Sequence, residues 1–376
     1  MISHEARTGD QSGDPRFELI TVPVHEAERV AREILEAALR RKHGNDFVAA
    51  HDEELKLLGF ESEAALVAAC LVDAEAQGHP THGLIRLSRY VEDINSDKVN
   101  PLGRFDIEQD QGSLLVCTGG DQFGQVAVQM AIELAKKRLQ EHPTLTIALA
   151  DMTHAGRLAW IVDQLTRQGY IVTSVMFDVG GAGRTSVYPD GEEPALGTNP
   201  LALGANLAFA DTATTEETEG FVRKHFEAGL PLPDGVLELL DGTPTNDPAL
   251  LYTDPPQAKL VPLGGRSGTA MAIAIKIMVT RLTGKIPKPG CNAMVLTVVN
   301  PHFLPDHAAP QEVAQQVLDR IKSVRTTSGK PVHIPGVAGK TRAAEAQEIG
   351  LRIPRHQWEE TLRLHQELTQ PKPREE

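Results

Sequence analysis

The segment from Asp73 to Pro101, DAEAQGHPTHGLIRLSRYVEDINSDKVNP, carries side chains that could move a proton and hold a carboxylate. If a helix begins near Thr81, whose hydroxyl suits an N-cap, then His82, Arg86 and Tyr90 follow at i, i+4 and i+8 on one face. A histidine in a first helical turn is held neutral by the positive end of the helix dipole and can accept a proton. Arg86 offers a planar, two-pronged donor that matches a carboxylate. The spacing therefore predicts a proton-transfer group beside an acid anchor.

Two other interpretations fit the same residues. A face of His, Arg and Tyr is also what a solvated helix surface presents. His79 and His82, three residues apart, could instead be metal ligands, although no Cys or Glu stands at a zinc-site spacing around them. The segment alone leaves these readings open.

Length and charge limit the classes of protein that this chain could belong to. With 376 residues, the chain is long enough for two or three domains. Its formal net charge of −14 argues against nucleic acid or an acidic membrane as a partner, because such binding needs clustered Lys and Arg. A small anionic substrate is still compatible with a locally basic site, which Arg86 would supply.

The cysteines and the N-terminus indicate the cellular compartment of the protein. Cys70, Cys117 and Cys291 are widely spaced in apolar runs, which predicts reduced, buried thiols. The first 15 residues lack the apolar core of a signal peptide, and no run is long enough to span a membrane. We therefore expect a polar N-terminal tail on a cytoplasmic protein.

Helices are expected at both ends of the chain, with an α/β region between them. The spacing of apolar residues predicts helices over 25–42, 63–77 (capped by Ser62), 312–324, 341–349 and 356–368. In the middle of the chain, predicted strands alternate with predicted helices. The strands are 114–118, 144–150, 170–177, 200–210 and 292–299, and the helices are 125–140, 157–168, 217–228 and 269–282. The segment 229–265 is predicted to be a loop rich in Pro and Gly. The two helical ends are expected to pack together as one discontinuous domain.

No standard nucleotide-binding motif is present. Gly180, Gly181 and Gly183 follow a predicted strand without completing GxGxxG, and the segment 336–341 (GVAGKT) lacks the first glycine of a P-loop. Polar and small residues nevertheless collect in four loops at predicted strand or helix ends, where function is common. These loops are 150–157, 196–201, 211–215 and 262–268, and the last leads into a helix N-terminus that could seat a phosphate.

The order and spacing of these segments resemble the malate/L-lactate dehydrogenase family over roughly residues 20 to 368. That family is unrelated to the Rossmann-type lactate dehydrogenases, and it includes ureidoglycolate, sulfolactate, 2,3-diketogulonate and piperideine-2-carboxylate oxidoreductases. The matching motifs are, in chain order, Asp73, Gly78-His79, Thr81-His82-Gly83, Arg86, Tyr90, Asn100-Pro101, Gly124-Gln125, the loop 151–156 around His154, Leu196–Pro200, Asp211–Thr215, Asp241–Pro248 and Pro335-Gly336.

The resemblance implies an α/β fold of the α+β type. Its NAD(P)-binding domain would be non-Rossmann with a mostly antiparallel sheet, and both chain ends would form a helical domain. The corresponding boundaries are a disordered tail over 1–15, a helical domain over 16–102 and 305–376, and an NAD(P)-binding domain over 103–304. The resemblance also implies hydride transfer between NAD or NADP and a small 2-hydroxy acid or 2-oxo acid, in a homodimer.

Roles can be carried over from the family to matching positions of this sequence. His82 would be the general acid/base, Arg86 the carboxylate anchor and Thr81 a hydroxyl at the reacting oxygen. His154 would be a second polar group near the substrate and the nicotinamide. The implied further substrate contacts are Tyr90 and Asn199, and the implied cofactor contacts are Asp211, Thr212, Ala213, Thr214, Gly265, Arg266, Ser267, Pro335, Gly336 and Val337.

The sequence departs from the family's pattern at several places in these loops. Ser267 replaces the lysine of the family's GGHKG loop, Asp151 replaces an asparagine, and Phe177-Asp178 replaces a Thr-Asn pair. An extra carboxylate could repel an anionic substrate or select one that carries an amine. The acidic run 216–219 (EETE) mildly disfavours the extra phosphate of NADP, although a solvated helix N-terminus explains the run better.

Three alternatives to a 2-hydroxy acid dehydrogenase stay open. One is a cyclic imino acid reductase of the same family, and another is a non-catalytic paralogue that binds the cofactor or an acid metabolite. The third is a metal hydrolase that uses His79, His82 and His154. The presence of both His82 and Arg86 speaks against the non-catalytic paralogue, while the identity of the acid depends on a distal pocket that these motifs do not include.

Overall fold

The computed structural model describes residues 18–44, 55–56, 59–100, 103–178, 184–188, 191–206, 208–286, 288, 290–306 and 308–370. The predicted tail over 1–15, Pro101 of the Asn-Pro motif and the glycines 180, 181 and 183 lie outside these residues. The helices are α1 (Val24–His43), α2 (Glu63–Ala76), α3 (Leu87–Asn95), α4 (Gly124–Arg138), α5 (Leu158–Thr166), α6 (Glu219–Ala228), α7 (Arg266–Thr283), α8 (Ala308–Lys322), α9 (Val337–Ile349) and α10 (Arg355–Thr369). The strands are β1 (Leu19–Val22), β2 (Asp106–Asp110), β3 (Leu114–Gln122), β4 (Thr144–Met152), β5 (Ile171–Asp178), β6 (Leu201–Ala205), β7 (Ala208–Thr212), β8 (Leu237–Leu239), β9 (Pro244–Thr245), β10 (Ala258–Leu260), β11 (Asn292–Val299) and β12 (Leu351–Pro354).

A seven-stranded sheet of order β2-β3-β4-β11-β5-β6-β7 forms the centre of the α/β region. Its neighbouring strands are antiparallel except for β3 and β4, which are parallel. The central strand β11 is an unbroken apolar run, as a strand covered on both faces should be. The predicted fold class, a mixed fold with a mostly antiparallel sheet and no Rossmann topology, is confirmed.

Helices cover both faces of this sheet. Side chains of α4 and α5 pack with the sheet in one hydrophobic cluster that includes Ile132, Ile161 and Leu296. On the other face, Ile275 and Val279 of α7 pack in a second cluster with residues of β4, β5 and β11. Burial of this apolar surface is the main stabilising contribution, and it fixes the strand ends from which the functional loops leave.

The described residues form two compact units. The first contains the residues up to Asp97 and those from Ala338 onward, and the second contains Lys98–Val337. The predicted domain boundaries, a helical domain over 16–102 and 305–376 and an NAD(P)-binding domain over 103–304, stay a prediction beside this division. No helix of the described residues is long and apolar enough to cross a membrane.

The first unit is built mainly from helices. In α1, buried side chains recur at helical spacing from Ala27 through Ile34 to Leu39, and the predicted cap of α2 is formed because Ser62 Oγ accepts from the Ala65 N–H at 3.1 Å. Strands β1 and β12 join the two chain ends as an antiparallel pair that the sequence analysis did not predict.

Two segments of the α/β region differ from their predicted form. The single strand predicted over 200–210 is a hairpin of β6 and β7, because the chain reverses between Ala205 and Ala208. The predicted loop over 229–265 contains the three-stranded sheet β10-β8-β9, which packs with α6 around a small core of its own. Strands of two or three residues are too short to show a periodic pattern in the sequence.

Candidate active site

The helix predicted from Thr81 does not form. The segment instead makes two short 3-10 turns, Pro80–His82 and Leu84–Arg86, separated by Gly83 in an extended conformation (φ −94°, ψ −146°), and the α-helix starts only at Leu87. Thr81 is therefore not an N-cap, and His82, Arg86 and Tyr90 do not share a helix face. The helix-dipole argument for a neutral His82 fails with it, since His82 ends a three-residue turn.

The two turns nevertheless bring Thr81, His82 and Arg86 into contact. The Thr81 Oγ1 and His82 Nδ1 atoms are 3.1 Å apart, within hydrogen-bonding distance, and Arg86 Nε donates to the Thr81 carbonyl at 2.6 Å. Arg86 is buried, whereas Thr81 and His82 are partly exposed. The arginine thus braces the backbone that carries the histidine, and the Thr81 hydroxyl holds one ring nitrogen of the imidazole.

A carboxylate that the sequence analysis did not single out supports this arrangement from α2. Glu75 is buried, and its Oε2 accepts from the Leu84 N–H at 3.1 Å. A side chain at Gly83 would overlap this carboxylate, so the turn needs glycine there. Nothing in the sequence distinguishes Glu75 from a surface carboxylate, because its partner is a backbone N–H of another segment.

Tyr90 and Asn199, the predicted further substrate contacts, are both buried. Tyr90 is 2% exposed in the first unit. Asn199 is fully buried in the second unit, where its Nδ2 donates to the Ala272 carbonyl of α7 at 2.9 Å and its Oδ1 has no hydrogen-bond partner among the described residues. In this structure Asn199 anchors the loop 196–201 to α7, and its role toward a substrate stays a prediction.

The second unit brings three of the predicted loops together. The Thr214 backbone N–H and hydroxyl both donate to the Thr198 carbonyl at 2.8 Å, and the Leu263 N–H donates to the Thr214 carbonyl at 2.9 Å. Gly268, in the first turn of α7, lies so close to Thr214 that a Cβ would overlap the Thr214 carbonyl. The loops 196–201, 211–215 and 262–268 therefore form one continuous cluster, which we call the triple-loop cluster.

The predicted cofactor segment at the end of the second unit lies against the same region. Gly336 (φ 85°) lies against the ring of Phe209, two residues before Asp211, and the Phe209 N–H donates weakly to the Pro335 carbonyl at 3.4 Å. Any side chain at position 336 would meet the ring at 2.6 Å. The three segments predicted to contact a cofactor thus converge, although 50 or more residues separate each from the next along the chain.

Asp211, one of the predicted cofactor contacts, braces the loop that carries His154. Its Oδ2 accepts from the Ala159 N–H at the start of α5 at 2.9 Å and lies 3.7 Å from Arg157 Nε. Burial raises the pKa of the Asp211 carboxyl, and Arg157 and the Ala159 N–H partly offset that effect. This carboxylate therefore caps α5 in place of the N-cap residue, Arg157, which makes no side-chain cap of its own.

Asp151, one of the departures from the family's pattern, forms an ion pair inside the second unit. Asp151 adopts a positive φ of 55°, and its Oδ2 accepts from Lys285 Nζ at 2.7 Å and from the Thr118 hydroxyl at 3.2 Å. Lys285 also pairs with Glu108 at 2.6 Å. The extra negative charge before His154 is therefore compensated by a lysine, while the side chain of Asp178 lies outside the described residues.

The triple-loop cluster carries an exposed cation at the start of α7. The helix begins there with Gly265 as its N-cap and no side-chain cap, and the Ser267 and Gly268 N–H groups of its first turn donate to the carbonyls of Gly264 (3.3 Å) and Leu263 (2.7 Å). Arg266 and Ser267 at this end are exposed, and the Arg266 guanidinium makes no hydrogen bond or ion pair with another described residue. By contrast, no group of three or more His, Cys, Asp or Glu side chains in the described part of the chain could hold a metal ion.

The three cysteines are buried thiols. Cys70, Cys117 and Cys291 are unpaired and buried, as the sequence predicts. Burial raises the pKa of the Cys117 and Cys291 thiols to about 12, and it also raises the pKa of Cys70. The structure therefore gives no support to a cysteine nucleophile.

Comparisons with known proteins agree with these observations. A family model described as malate/L-lactate dehydrogenase matches residues 45–361. The chain is 27% identical over 317 residues to hydroxycarboxylate dehydrogenase B of Escherichia coli O157:H7, covering 80% of this chain and 86% of that protein. It is 26% identical over 295 residues to L-sulfolactate dehydrogenase of Methanocaldococcus jannaschii, covering 73% and 82%. It is 27% identical over 310 residues to ureidoglycolate dehydrogenase (NAD(+)) of Escherichia coli K12, covering 77% and 85%.

Solved structures show the same fold. The crystal structure of malate dehydrogenase from Entamoeba histolytica matches with a TM-score of 0.80 at 18% identity, over 95% of this chain and 100% of that chain.

Proposed function

The chain belongs to the malate/L-lactate dehydrogenase family, and from that membership we propose that it interconverts a small 2-hydroxy acid and its 2-oxo acid with NAD or NADP. The observation that carries this proposal is the turn 80–86, where a partly exposed histidine and a buried arginine are fixed through the same residue, Thr81. Relatives named for a hydroxycarboxylate, for L-sulfolactate and for ureidoglycolate support an acid substrate.

His82 supplies the proton chemistry in this proposal. When bound, the dinucleotide would supply a hydride to C2 of the oxo acid or take one from the hydroxy acid. His82 gives a proton to the C2 oxygen in reduction and takes it back in oxidation, and such a placed histidine typically contributes about 10²–10⁴ in rate. The Thr81 hydroxyl, 3.1 Å from His82 Nδ1, restricts the rotation of the imidazole.

Arg86 binds the substrate carboxylate in this proposal, and it also positions His82. Its guanidinium matches the two oxygens of a carboxylate, and its burial strengthens the charge-assisted hydrogen bonds. Because Arg86 Nε is committed to the Thr81 carbonyl at 2.6 Å, carboxylate binding and histidine position are coupled through one side chain. His154, on the loop braced by Asp211, keeps its predicted role as a second polar group near the substrate and the nicotinamide.

The triple-loop cluster and Pro335-Gly336 are the proposed cofactor site. The exposed Arg266 guanidinium, which has no partner among the described residues, suits the negative charge of a pyrophosphate, and the Ser267 hydroxyl can donate a further hydrogen bond. Asp211 contributes there as a brace of α5. We also propose a homodimer and a cytoplasmic location, the latter supported by three unpaired, buried thiols.

A spectrophotometric screen tests the proposed function. The purified protein is mixed with a panel of 2-oxo acids and cyclic imino acids, with NADH and NADPH in parallel, and loss of the reduced nicotinamide is followed. We expect oxidation of the reduced cofactor with at least one 2-oxo acid. Turnover with imino acids alone would reassign the enzyme to imino acid reduction, and no turnover together with tight nucleotide binding would indicate a non-catalytic paralogue.

A further inference from the structure

A cavity of about 390 Å³ lies in the second unit, at one end of the seven-stranded sheet. It is lined by Gln140, Gln168, Tyr170, Asn300, His302 and Phe303. These residues lie where β4 and β5 begin and β11 ends, and the Asn300 N–H donates to the carbonyl of Pro143, just before β4, at 2.8 Å. The loop that carries His154 leaves β4 at its other end, roughly 25 Å away along the nine-residue strand. The cavity is therefore separate from that loop.

Two buried residues form the floor of the cavity. Asn300 and Tyr170 are 7% and 4% exposed. The Asn300 side chain donates from Nδ2 to the Leu139 carbonyl at 2.8 Å, and its Oδ1 accepts from the His302 N–H at 3.0 Å. The Tyr170 hydroxyl accepts from Gln140 Nε2 at 3.3 Å, which leaves the hydrogen of the hydroxyl for an acceptor in the cavity. The floor is thus fixed by hydrogen bonds within the protein.

The walls of the cavity carry a carboxamide and an exposed aromatic ring. Gln168 is exposed, and its side chain makes no hydrogen bond with another residue in the described part of the chain. The Phe303 side chain is 47% exposed. Among the described residues, no Asp, Glu, Lys or Arg lines the cavity. A charged ligand would lose hydration there without gaining a carboxylate, a lysine or an arginine as its partner, so the lining favours a neutral ligand.

We propose that this cavity binds the adenine ring of a neutral nucleoside. A carboxamide donates one hydrogen bond and accepts another, and the N7 atom and the 6-amino group of adenine are the matching acceptor and donor. Gln168 supplies this pair, and the exposed Phe303 ring supplies a surface on which the base stacks. The Tyr170 hydroxyl donates to a further acceptor of the nucleoside. The volume of the cavity is in the range of small-molecule sites.

The test is a calorimetric titration of the full-length protein with adenosine and, separately, with inosine, which has an oxygen in place of the 6-amino group. We expect adenosine to bind, and inosine to bind at least about fivefold more weakly, because its oxygen cannot donate to the Gln168 side chain. Gln168→Glu should weaken adenosine binding at least about fivefold, since a carboxylate cannot donate to N7. Phe303→Leu should weaken it about three- to tenfold, because leucine keeps an apolar side chain and loses the stacking surface.

Controls separate the cavity from other places where adenosine could bind. Gln168 and Phe303 are exposed, so both variants should fold, and thermal unfolding checks this. Gln366→Glu, at an exposed position of α10, makes the same chemical change in the first unit and should leave adenosine binding unchanged. NAD⁺ should bind Gln168→Glu and Phe303→Leu as it binds the wild type, because the proposed cofactor contacts are other residues.

Three results would overturn the inference. They are an absence of adenosine binding to the wild type, equal affinities for adenosine and inosine, and unchanged adenosine binding in both Gln168→Glu and Phe303→Leu, which would place the nucleoside elsewhere on the molecule. None of them bears on the proposed dehydrogenase activity, which rests on the turn 80–86.

Discussion

His82 is the residue on which the proposed chemistry depends most directly. We expect His82→Ala to lower kcat by about 10²–10⁴, since no other group on the turn 80–86 can exchange a proton near neutral pH. Binding of NADH, followed by quenching of its fluorescence, should stay close to that of the wild type, because the proposed cofactor contacts are other residues. Near-normal reduction of 2-oxo acids by this variant would contradict the assignment.

Replacing Arg86 affects two interactions, the proposed one with the substrate carboxylate and the hydrogen bond to the Thr81 carbonyl. This changes the kinetic effect that the sequence predicts. The sequence predicts that replacing Arg86 mainly raises the KM for the acid. The structure adds the hydrogen bond from Nε to the Thr81 carbonyl at 2.6 Å, which Arg86→Lys cannot reproduce in the same geometry. We therefore expect a rise in KM for the acid of at least about tenfold together with a fall in kcat.

A matched control for Arg86→Lys exists on the same segment. Arg89 makes an i,i+4 ion pair with Asp93 at 3.0 Å, so Arg89→Lys makes the same chemical change away from the turn. It should leave both kinetic constants near those of the wild type. If Arg86→Lys changes KM with no change in kcat, Arg86 is an anchor only, and its contact with Thr81 does not position His82.

At the scale of elements, the contact between α2 and the turn 80–86 decides whether the site is formed. A methyl group at Gly83 would overlap the buried Glu75 carboxylate, which cannot leave without abandoning the Leu84 N–H. We expect Gly83→Ala to lower the free energy of unfolding by about 1–3 kcal/mol, the usual cost of overpacking, and to reduce kcat. Thermal unfolding and steady-state kinetics measure the two effects.

A double-mutant cycle isolates the proposed cause. In a Glu75→Ala background, the cavity left by the carboxylate can accept the new methyl group, so Gly83→Ala should cost much less there than in the wild type. The difference is the coupling between the two positions. Additive costs would show that Gly83 is needed for its backbone conformation and not for its closeness to Glu75.

The elements also show how far a sequence predicts this fold and this site. Ser62, the amphipathic spacing of α1 and the apolar run of β11 are local signals, so these elements were predicted to within a few residues. The turn 80–86 was predicted as a helix, because the apolar spacing of its residues fits one and the partner of Gly83 lies on another segment. For the same reason the sequence does not predict the contact of Glu75 with Leu84 or that of Glu216 with Gly264. In each contact the carboxylate accepts from a backbone N–H of a segment that only the tertiary structure brings close.

At the scale of the whole molecule, the thiols report on global unfolding. Burial raises the pKa of the Cys117 and Cys291 thiols to about 12, so very little thiolate is present at pH 8, and burial also blocks access of a reagent. We expect no reaction of the native protein with a disulfide reagent at pH 8 and complete reaction of all three cysteines in denaturant. Fast labelling of a native thiol would show that its segment opens locally.

The proposed homodimer can be tested on an apolar stripe of α8. Val313, Val317 and Ile321 are spaced by one helical turn, and they are 57%, 56% and 45% exposed in a single chain. A helix of this length is marginally stable in water without a partner for its apolar face, so we propose that a second copy of the chain covers the stripe. Sedimentation equilibrium should then give twice the chain mass of 40.8 kDa.

Charge placed on the stripe should break the dimer. We expect Val317→Glu to weaken association by at least about 100-fold, because an unpaired carboxylate would be buried in the interface. Gln316→Glu adds the same charge at the neighbouring exposed position and should leave the dimer intact. A dimeric Val317→Glu variant would place the interface elsewhere on the molecule, and a monomeric wild type would contradict the homodimer itself. Measuring kcat on the monomeric variant would then show whether one chain holds a complete active site.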